Sequence, residues 1–287
     1  MRKRAAVLLI GIIWLLTGCG LPFSLPSDEE PAEEQPAVVE TTPEPPDDRK
    51  TDEEFVAAVA KALQARWDVS AEYSASDLAD MGAADYQAYL RRCVDAEEEQ
   101  LGSIVDYRFM DSEVASLAQQ YYHALSLQRS GSEYARTAEV SGFNSTWVLG
   151  YNYRVSAVWD LMQYFSLTVE EEYASRLAEL TATHHEAKKQ VAFHELIERL
   201  SGTLVYEKDP AQSDDVRTCY VGWIENTTEY DIRSLSIGVS FLDGNGNIIA
   251  QTSDWISDLR AGQGARSVIF AGIGEYAGME YSISIYQ

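Results

Sequence analysis

The sequence predicts an α+β fold, in which an N-terminal helical bundle is followed by a small antiparallel β-sandwich. Apolar residues recur with a helical period from Thr51 to Gly202, whereas they alternate with polar residues over much of 203–287. A helix repeats every 3.6 residues and a strand every two, so this change of period marks a change of structure. Residues 19–50 show neither period and predict a linker ahead of the helices.

The amino terminus has the layout of an export signal. Basic residues at positions 2 to 4 precede an apolar run from Ala5 to Leu16, which closes on Leu16-Thr17-Gly18-Cys19. A membrane-spanning helix, the alternative interpretation, needs about 20 apolar residues, and this run is shorter. The stretch resembles a bacterial lipoprotein signal peptide. The resemblance implies cleavage of residues 1–18, acylation of the Cys19 thiol and a lipid anchor on the extracytoplasmic face of the cell membrane.

Residues 19–50 are predicted to form a disordered linker. Seven of the chain's eight prolines fall between Gly20 and Lys50, interspersed with clusters of Asp and Glu. Proline removes hydrogen-bond donors and like charges repel one another, so we expect an extended, unpacked segment. The alternative is a proline-rich ligand for a recognition domain.

The charge of the chain excludes several kinds of partner. The formal net charge is −24, and removal of residues 1–18, which carry three basic residues and no acid, would take it to −27. Nucleic acids are bound by Lys and Arg side chains that neutralise phosphates, so we predict no nucleic-acid partner. The negative charge also disfavours electrostatic adhesion to anionic lipid. We therefore expect the lipid on Cys19 to attach the protein to the membrane.

Two further cysteines, Cys93 and Cys219, fall among apolar residues in different predicted domains. If the protein is exported, a disulfide between them can form, because the environment outside the cytoplasm is oxidising. We favour the alternative, in which both are buried free thiols that pack as small hydrophobic groups. No pair of cysteines has the spacing of a zinc site.

The helical domain is predicted to span residues 51–202. Thr51 and Glu54 form a capping-box pattern that predicts the start of the first helix. Four sets of apolar and aromatic residues then recur at helical spacing, and each predicts the buried face of one helix. The sets are Phe55, Val59, Leu63 and Trp67; Tyr86, Tyr89, Leu90, Cys93, Val94 and Leu101; Val114, Leu117, Tyr121 and Leu125; and Trp147, Tyr151, Val155, Val158, Met162 and Phe165.

The last predicted helix is the longest of the set. A second capping-box pattern, Thr168 with Glu171, predicts its start, and Gly202 predicts its end. Between them apolar and aromatic residues alternate in steps of four and three: Tyr173, Leu177, Leu180, His184, Ala187, Val191 and His194. At 1.5 Å per residue we expect a helix of roughly 50 Å that packs against antiparallel neighbours.

The C-terminal domain, residues 203–287, is predicted to hold six or seven short antiparallel strands. Leu235, Ile237, Val239 and Phe241 alternate with small polar residues, and the glycine-rich segment 243–247 that follows favours a chain reversal. The segment 216–224 is apolar on both faces, as expected of a central strand.

Short motifs in this domain resemble the FxLYD-type, immunoglobulin-like β-sandwich. The first motif is Gly222–Thr227, and the second is Val239–Asp243, which precedes Gly246-Asn247. The remaining matching positions are Leu259, Gly262 and Phe270. The match covers residues 203–287. It departs from the usual pattern at Leu242, where an aromatic is common, and at Arg260–Gly262, where Pro-Gly is common. The resemblance implies that this domain binds another molecule or acts as a spacer. It implies no catalytic residue in this chain.

One motif approaches a metal signature. His194-Glu195-Leu196-Ile197-Glu198 differs from the H-E-x-x-H zinc pattern at its last position, and helical spacing puts His194 and Glu198 one turn apart. It lacks a second imidazole and an evident third ligand. A cell-envelope hydrolase with a metal near these two residues is therefore an alternative rather than the main hypothesis, and we predict neither a metal nor another cofactor.

Aromatic residues on one predicted helix suggest a second alternative. Trp147, Tyr151, Tyr153 and Trp159 are expected to contribute to the core, because Tyr and Trp at helical spacing usually do so. If they line a groove instead, that groove would receive a glycan, a small molecule or a peptide.

Together these patterns predict a lipid-anchored cell-surface protein with a non-enzymatic binding or scaffolding role in the cell envelope. Its anchor is the lipid on Cys19, and its expected partner is another envelope protein. The sequence contains no complete catalytic constellation.

Overall fold

The computed structural model describes residues 48–287, in which helices precede strands, and the α+β fold class is confirmed. The signal peptide 1–18, Cys19 and all but the last three residues of the linker 19–50 lie outside the described residues. Among residues 48–287 no helix combines the length and the apolar character that crossing a bilayer requires.

The helical part contains long helices joined by short helical turns. The α-helices are α1 (Asp52–Ala71), α2 (Ala75–Asp80), α3 (Ala83–Leu101), α4 (Ser112–Gly131), α5 (Val140–Phe143), α6 (Leu149–Tyr164), α7 (Ala174–Thr181) and α8 (His184–Thr203). A π-helical turn, Asn144–Val148, joins α5 to α6, and 3₁₀ turns occur at Ile104–Asp106, Ser132–Tyr134 and Glu171–Tyr173.

Helix α1 begins at the predicted capping box. The Thr51 hydroxyl accepts a hydrogen bond from the Glu54 amide at 3.3 Å, and the Glu54 carboxylate accepts one from the Thr51 amide at 2.7 Å. These two bonds satisfy backbone donors that have no partner within the helix. The start of the helical domain was therefore readable from local sequence alone.

The single long helix predicted between Thr168 and Gly202 is wrong. The chain forms two helices, α7 and α8, interrupted at Ala182 and Thr183. The Thr168 side chain caps neither of them, and Gly202 lies inside α8, which continues to Thr203.

Side chains at the interruption compete for backbone carbonyls. The Thr181 hydroxyl donates to the Leu177 carbonyl at 2.8 Å, and His184 Nδ1 lies 2.9 Å from the Thr181 carbonyl oxygen. Such local bonds offer the backbone an alternative to continued helix. The His184 ring is also held in a stack on Trp159, with ring centroids 3.5 Å apart.

Helices α1, α3, α4, α6 and α7 enclose the helical core. Phe55 lies at its centre with no exposed surface and makes edge contacts with Tyr107 and Phe109, at centroid distances of 5.3 and 5.4 Å. Each fully buried large apolar side chain of this kind contributes about 1.5–3 kcal/mol relative to exposure.

The strands form two three-stranded antiparallel sheets. The strands are β1 (Tyr206–Lys208), β2 (Thr218–Glu225), β3 (Ile232–Leu242), β4 (Ile248–Leu259), β5 (Gly264–Ala271) and β6 (Gly278–Tyr286). The sheets have the orders β1-β2-β5 and β4-β3-β6, so β2 is a central strand as predicted.

The inner faces of the two sheets share one apolar core. Leu235, Ile237, Val239 and Phe241 of β3 are buried, in the alternation that the sequence predicts. Phe241 meets Tyr220 of the other sheet, with ring centroids 5.2 Å apart. The two sheets are therefore in direct contact across this core.

The predicted reversal at 243–247 is a hairpin turn between β3 and β4. Asp243 Oδ1 accepts hydrogen bonds from the Asn245 and Asn247 amides at 2.8 and 2.9 Å. Gly246 takes a positive φ of 83°, which glycine adopts without steric cost.

Helix α8 contributes to both cores. Ala187 near its start belongs to the helical core, whereas Phe193, Leu196 and Leu200 pack in the core of the sheets. The apolar core of the sandwich thus includes residues on the helical side of the predicted domain boundary at 202/203. This packing brings α8 beside the end of β6.

Cys93 and Cys219 are both free and buried, so the favoured interpretation of these thiols is confirmed. The alternative disulfide does not form, because Cys93 packs among helices and Cys219 lies on β2.

Candidate functional site

The structure places His194 and Glu198 on α8 but offers no complete metal site around them. His194 is half-buried and Glu198 is exposed. Within residues 48–287 no group of three or more His, Cys, Asp and Glu side chains is arranged to hold a metal ion.

Tyr153 is the immediate neighbour of His194. Its ring meets His194 edge-on at a centroid distance of 6.2 Å, and His123 of α4 meets it in the same way at 5.2 Å. Burial, followed by the charges of Glu195 and Glu198, raises the pKa of Tyr153 to about 12. Tyr153 of α6 thus contacts His123 of α4 and His194 of α8 at the edge of the core.

The four aromatic residues predicted as core or groove do not line one common groove. Trp147 stacks on Phe143, and Trp159 stacks on His184. Tyr151 lines a groove together with Trp67, Tyr73, Arg176 and Glu179, among other residues, and that groove contains none of the other three predicted residues.

A different groove, which we call the amide groove, has the properties of a binding site. It lies between the segment 141–152, helix α8 and the end of β6, and its volume is about 760 Å³. Its polar side chains are Ser141, Asn144, Ser145, Asn152, Gln190, His194 and Gln287. Its apolar and aromatic side chains are Val148, Leu149, Phe193, Ile197, Ile285 and Tyr286.

The π-helical turn Asn144–Val148 shapes one wall of this groove. Asn144, Ser145 and Val148 are exposed on this turn. Helix α5 precedes the turn and helix α6 follows it. The turn is packed closely against α4, because a Cβ on Gly131 would stand 2.3 Å from the Trp147 amide nitrogen. Single π-helical turns of this kind are frequent at functional sites.

The lining of the amide groove contains no Asp, Glu, Lys or Arg. This is notable because charged residues make up 24% of the chain. Four other grooves of the described residues each contain charged side chains, for example Glu53 and Lys61 in one and Asp209 and Arg266 in another. The amide groove therefore offers hydrogen bonds and apolar contact without an ion pair.

Tyr286 connects this groove to the outer face of the sheet β4-β3-β6. Its ring stacks on Trp255, with centroids 5.4 Å apart and planes inclined by 24°. Both are largely exposed, Trp255 by 57% and Tyr286 by 50%. Because the two residues lie on strands β4 and β6, the stacked pair spans the central strand β3.

The rest of that outer face is rich in hydroxyl groups and also carries the exposed carboxylate of Glu280, opposite Ser240. Its side chains include Ser234, Ser236, Ser240, Ser253, Ser257, Ser282 and Ser284, which share a face by their register. The Ser282 hydroxyl lies over Gly238, where a Cβ would meet it at 2.4 Å. The sheet thus presents small polar groups beside the aromatic pair.

Only part of this site is signalled by local sequence patterns. The chain is uncharged from Val140 to Tyr153, and the serines of β3 were already expected to face away from the core. Trp255 and Tyr286 were not singled out, because their proximity depends on the order of strands in the sheet. No known protein family, curated protein or solved structure matches the chain.

Proposed function

We propose that this protein is a lipid-anchored binding protein of the cell envelope, without catalytic activity, and that the amide groove holds its ligand. The observation that carries the proposal is a hydrogen-bonding lining without Asp, Glu, Lys or Arg side chains in an otherwise strongly acidic chain. Ligand sites are typically concave and combine apolar contact with placed polar groups, and the amide groove combines both, with a larger polar share than most such sites.

The location is part of the same proposal. Acylation of Cys19 would hold the chain at the extracytoplasmic face of the membrane, and the proline-rich linker would separate residues 48–287 from the bilayer. The FxLYD-like motifs support an interaction role for the sandwich. We expect Cys19→Ala to block cleavage and acylation, so that the intact mass of the protein becomes that of the unmodified chain with residues 1–18 retained, and an unchanged mass apart from the substitution would contradict the anchor.

Site-specific crosslinking in native membranes tests the binding role. A photoreactive amino acid at Ser145 lies in the amide groove, whereas one at Asn245 lies at the exposed hairpin turn of β3 and β4. We expect one dominant envelope component to be captured at position 145 and not at position 245. Absence of capture at 145, or equal capture at both positions, would contradict a ligand site in this groove.

The metal-dependent hydrolase is not part of the proposal, because the described residues supply no third ligand beside His194 and Glu198. Elemental analysis of the full-length protein provides its test. Stoichiometric zinc that is lost in His194→Ala would favour the hydrolase instead.

A further inference from the structure

We infer that the ligand of the amide groove is an uncharged glycan that runs from the groove onto the Trp255–Tyr286 stack. The inference rests on the proposed binding function and adds the chemical class of the ligand. It follows from three observations: the carboxamide and hydroxyl groups that line the groove, the exposed Trp255–Tyr286 pair, and the absence of Asp, Glu, Lys and Arg side chains from the groove lining.

The hydrogen-bonding groups match those of a carbohydrate. Asn144, Asn152, Gln190 and Gln287 each bring a carboxamide, which is both donor and acceptor, and the amide nitrogen of Gln190 already donates to Glu186 at 2.7 Å. Neighbouring sugar hydroxyls and acetamido groups also donate and accept, so an amide side chain pairs with them in either direction. A ligand that depended on ion pairs would find no Lys, Arg, Asp or Glu side chain among the groove's lining residues.

The aromatic pair supplies the apolar contact that a sugar ring needs. Trp255 and Tyr286 stack on each other, so the C–H face of a pyranose would pack on the ring surface that this stack leaves exposed, while the sugar hydroxyls remain free to hydrogen-bond. Tyr286 belongs both to the groove and to the stack, and Trp255 continues the stack toward β4. The two ring centroids are 5.4 Å apart, and Tyr286 is also part of the groove. A ligand that fills the groove and reaches Trp255 is therefore longer than a single sugar.

The serine face favours a glycan over an extended peptide. A peptide added to this sheet would pair with the backbone of β4 or β6, its two edge strands, whereas Trp255 and Tyr286 offer side-chain contacts on the face of the sheet. That face offers side-chain hydroxyls beside the stack, at Ser234, Ser257 and Ser284.

The negative charge of the chain favours uncharged glycans over anionic ones. At a formal net charge of −24, an anionic polysaccharide is repelled as it approaches, and the groove has no Lys or Arg side chain to pair with its acids. An uncharged glycan meets neither obstacle.

Binding of defined oligosaccharides to the detergent-solubilised full-length chain tests the inference. The probes are the hexamer of N-acetylglucosamine, cellohexaose as the uncharged hexamer without acetamido groups, and a hexamer of galacturonic acid. We expect at least one uncharged hexamer to bind and to change tryptophan fluorescence, and the anionic hexamer to bind at least tenfold more weakly. Failure of both uncharged hexamers to bind, or tighter binding of the anionic one, would overturn the inference.

Variants locate the binding. Trp255→Ala and Asn152→Ala are expected to raise Kd at least tenfold. Trp223→Ala, which removes another highly exposed tryptophan (67%) from the outer face of the other sheet, is expected to leave Kd unchanged. Circular dichroism reports whether each variant is folded, and equal effects of Trp255→Ala and Trp223→Ala would overturn the assignment to this surface.

The two proposals fail in different ways. If crosslinking at Ser145 captures a polypeptide and both uncharged hexamers fail to bind, the groove is a binding site and the glycan is wrong. If crosslinking captures nothing specific at Ser145, the binding function itself is wrong.

Discussion

Arg154 and Glu97 form an ion pair inside the helical core, where 4% of the arginine side chain and none of the glutamate side chain is exposed. Arg66 donates to the same Glu97 oxygen at 3.0 Å, and the Tyr121 hydroxyl donates to the other oxygen at 2.9 Å. Arg66 also donates to the side-chain carbonyl of Gln128 at 3.1 Å. One carboxylate therefore joins α1, α4 and α6 to α3 and faces two buried guanidinium groups.

Removal of that carboxylate's charge is expected to destabilise the protein strongly. Glu97→Gln leaves Arg66 and Arg154 buried without a counter-charge, and breaking a buried pair in this way costs about 3–5 kcal/mol. The matched control is Glu99→Gln, an exposed residue of the same helix, for which we expect a change within about 0.5 kcal/mol. Urea unfolding measures both, and similar free energies of unfolding for the two variants would contradict a structural role for the network.

Two glycines are expected to respond to alanine in opposite directions. A Cβ on Gly150 of α6 would stand 2.6 Å from the Ala124 carbonyl oxygen of α4, whereas one on Gly202 of α8 meets nothing within 4 Å. We expect Gly150→Ala to lower the free energy of unfolding by about 1–3 kcal/mol, because α4 and α6 must separate. Gly202→Ala is expected to raise it by up to about 1 kcal/mol, since alanine favours a helix interior. Thermal unfolding compares them, and a stabilising Gly150→Ala would contradict the close approach of these helices.

Features with a local cause were predictable from the sequence. The Thr51–Glu54 cap, the alternation along β3 and the turn at Asp243 each depend on residues within a few positions of one another. The interruption between α7 and α8 was not predicted, because the helical spacing of the apolar residues continues across it. The local bonds of Thr181 and His184 act there together with the stack of His184 on Trp159 of another helix.

The amide groove was missed because its parts are far apart in the sequence. It is assembled from segments near 145, 194 and 286, and no local pattern indicates that these lie side by side. Helix α8 brings them together by packing on both cores, whereas the sequence predicted a division after Gly202.

Alkaline pH is expected to weaken the sandwich through Tyr206. Its hydroxyl lies 2.5 Å from the Ser267 hydroxyl, which donates to Asp254 at 2.7 Å. Burial is the main cause that raises the pKa of Tyr206 from its usual value of 10 to about 12. Between these two values the folded state keeps a proton that the unfolded state has lost. The stabilisation is therefore complete below pH 10 and is lost as the pH rises through 12.

A phenylalanine at this position removes that dependence. We expect Tyr206→Phe to cost about 0.5–1.5 kcal/mol at neutral pH for the lost hydrogen bond, and to lose less stability than the native chain between pH 10 and 12. The control is Tyr164→Phe, at an exposed position (71%) where we expect the native pH slope. Urea unfolding at several pH values gives the slopes, and the same slope in Tyr206→Phe as in the native chain would contradict the prediction.

Thiol labelling tests the buried cysteines and the lipid anchor together. Burial raises the pKa of both Cys93 and Cys219, and a buried thiol that stays protonated is a poor nucleophile. If Cys19 is acylated, we expect iodoacetamide at pH 8 to label no cysteine of the native membrane-derived protein and two after unfolding. A third label, or any label on the native protein at Cys19, would show that its thiol is free and would contradict the anchor.

Cys93→Ala is the control, because it should reduce the count after unfolding to one. Native labelling at Cys93 or Cys219 would instead show that their burial is transient.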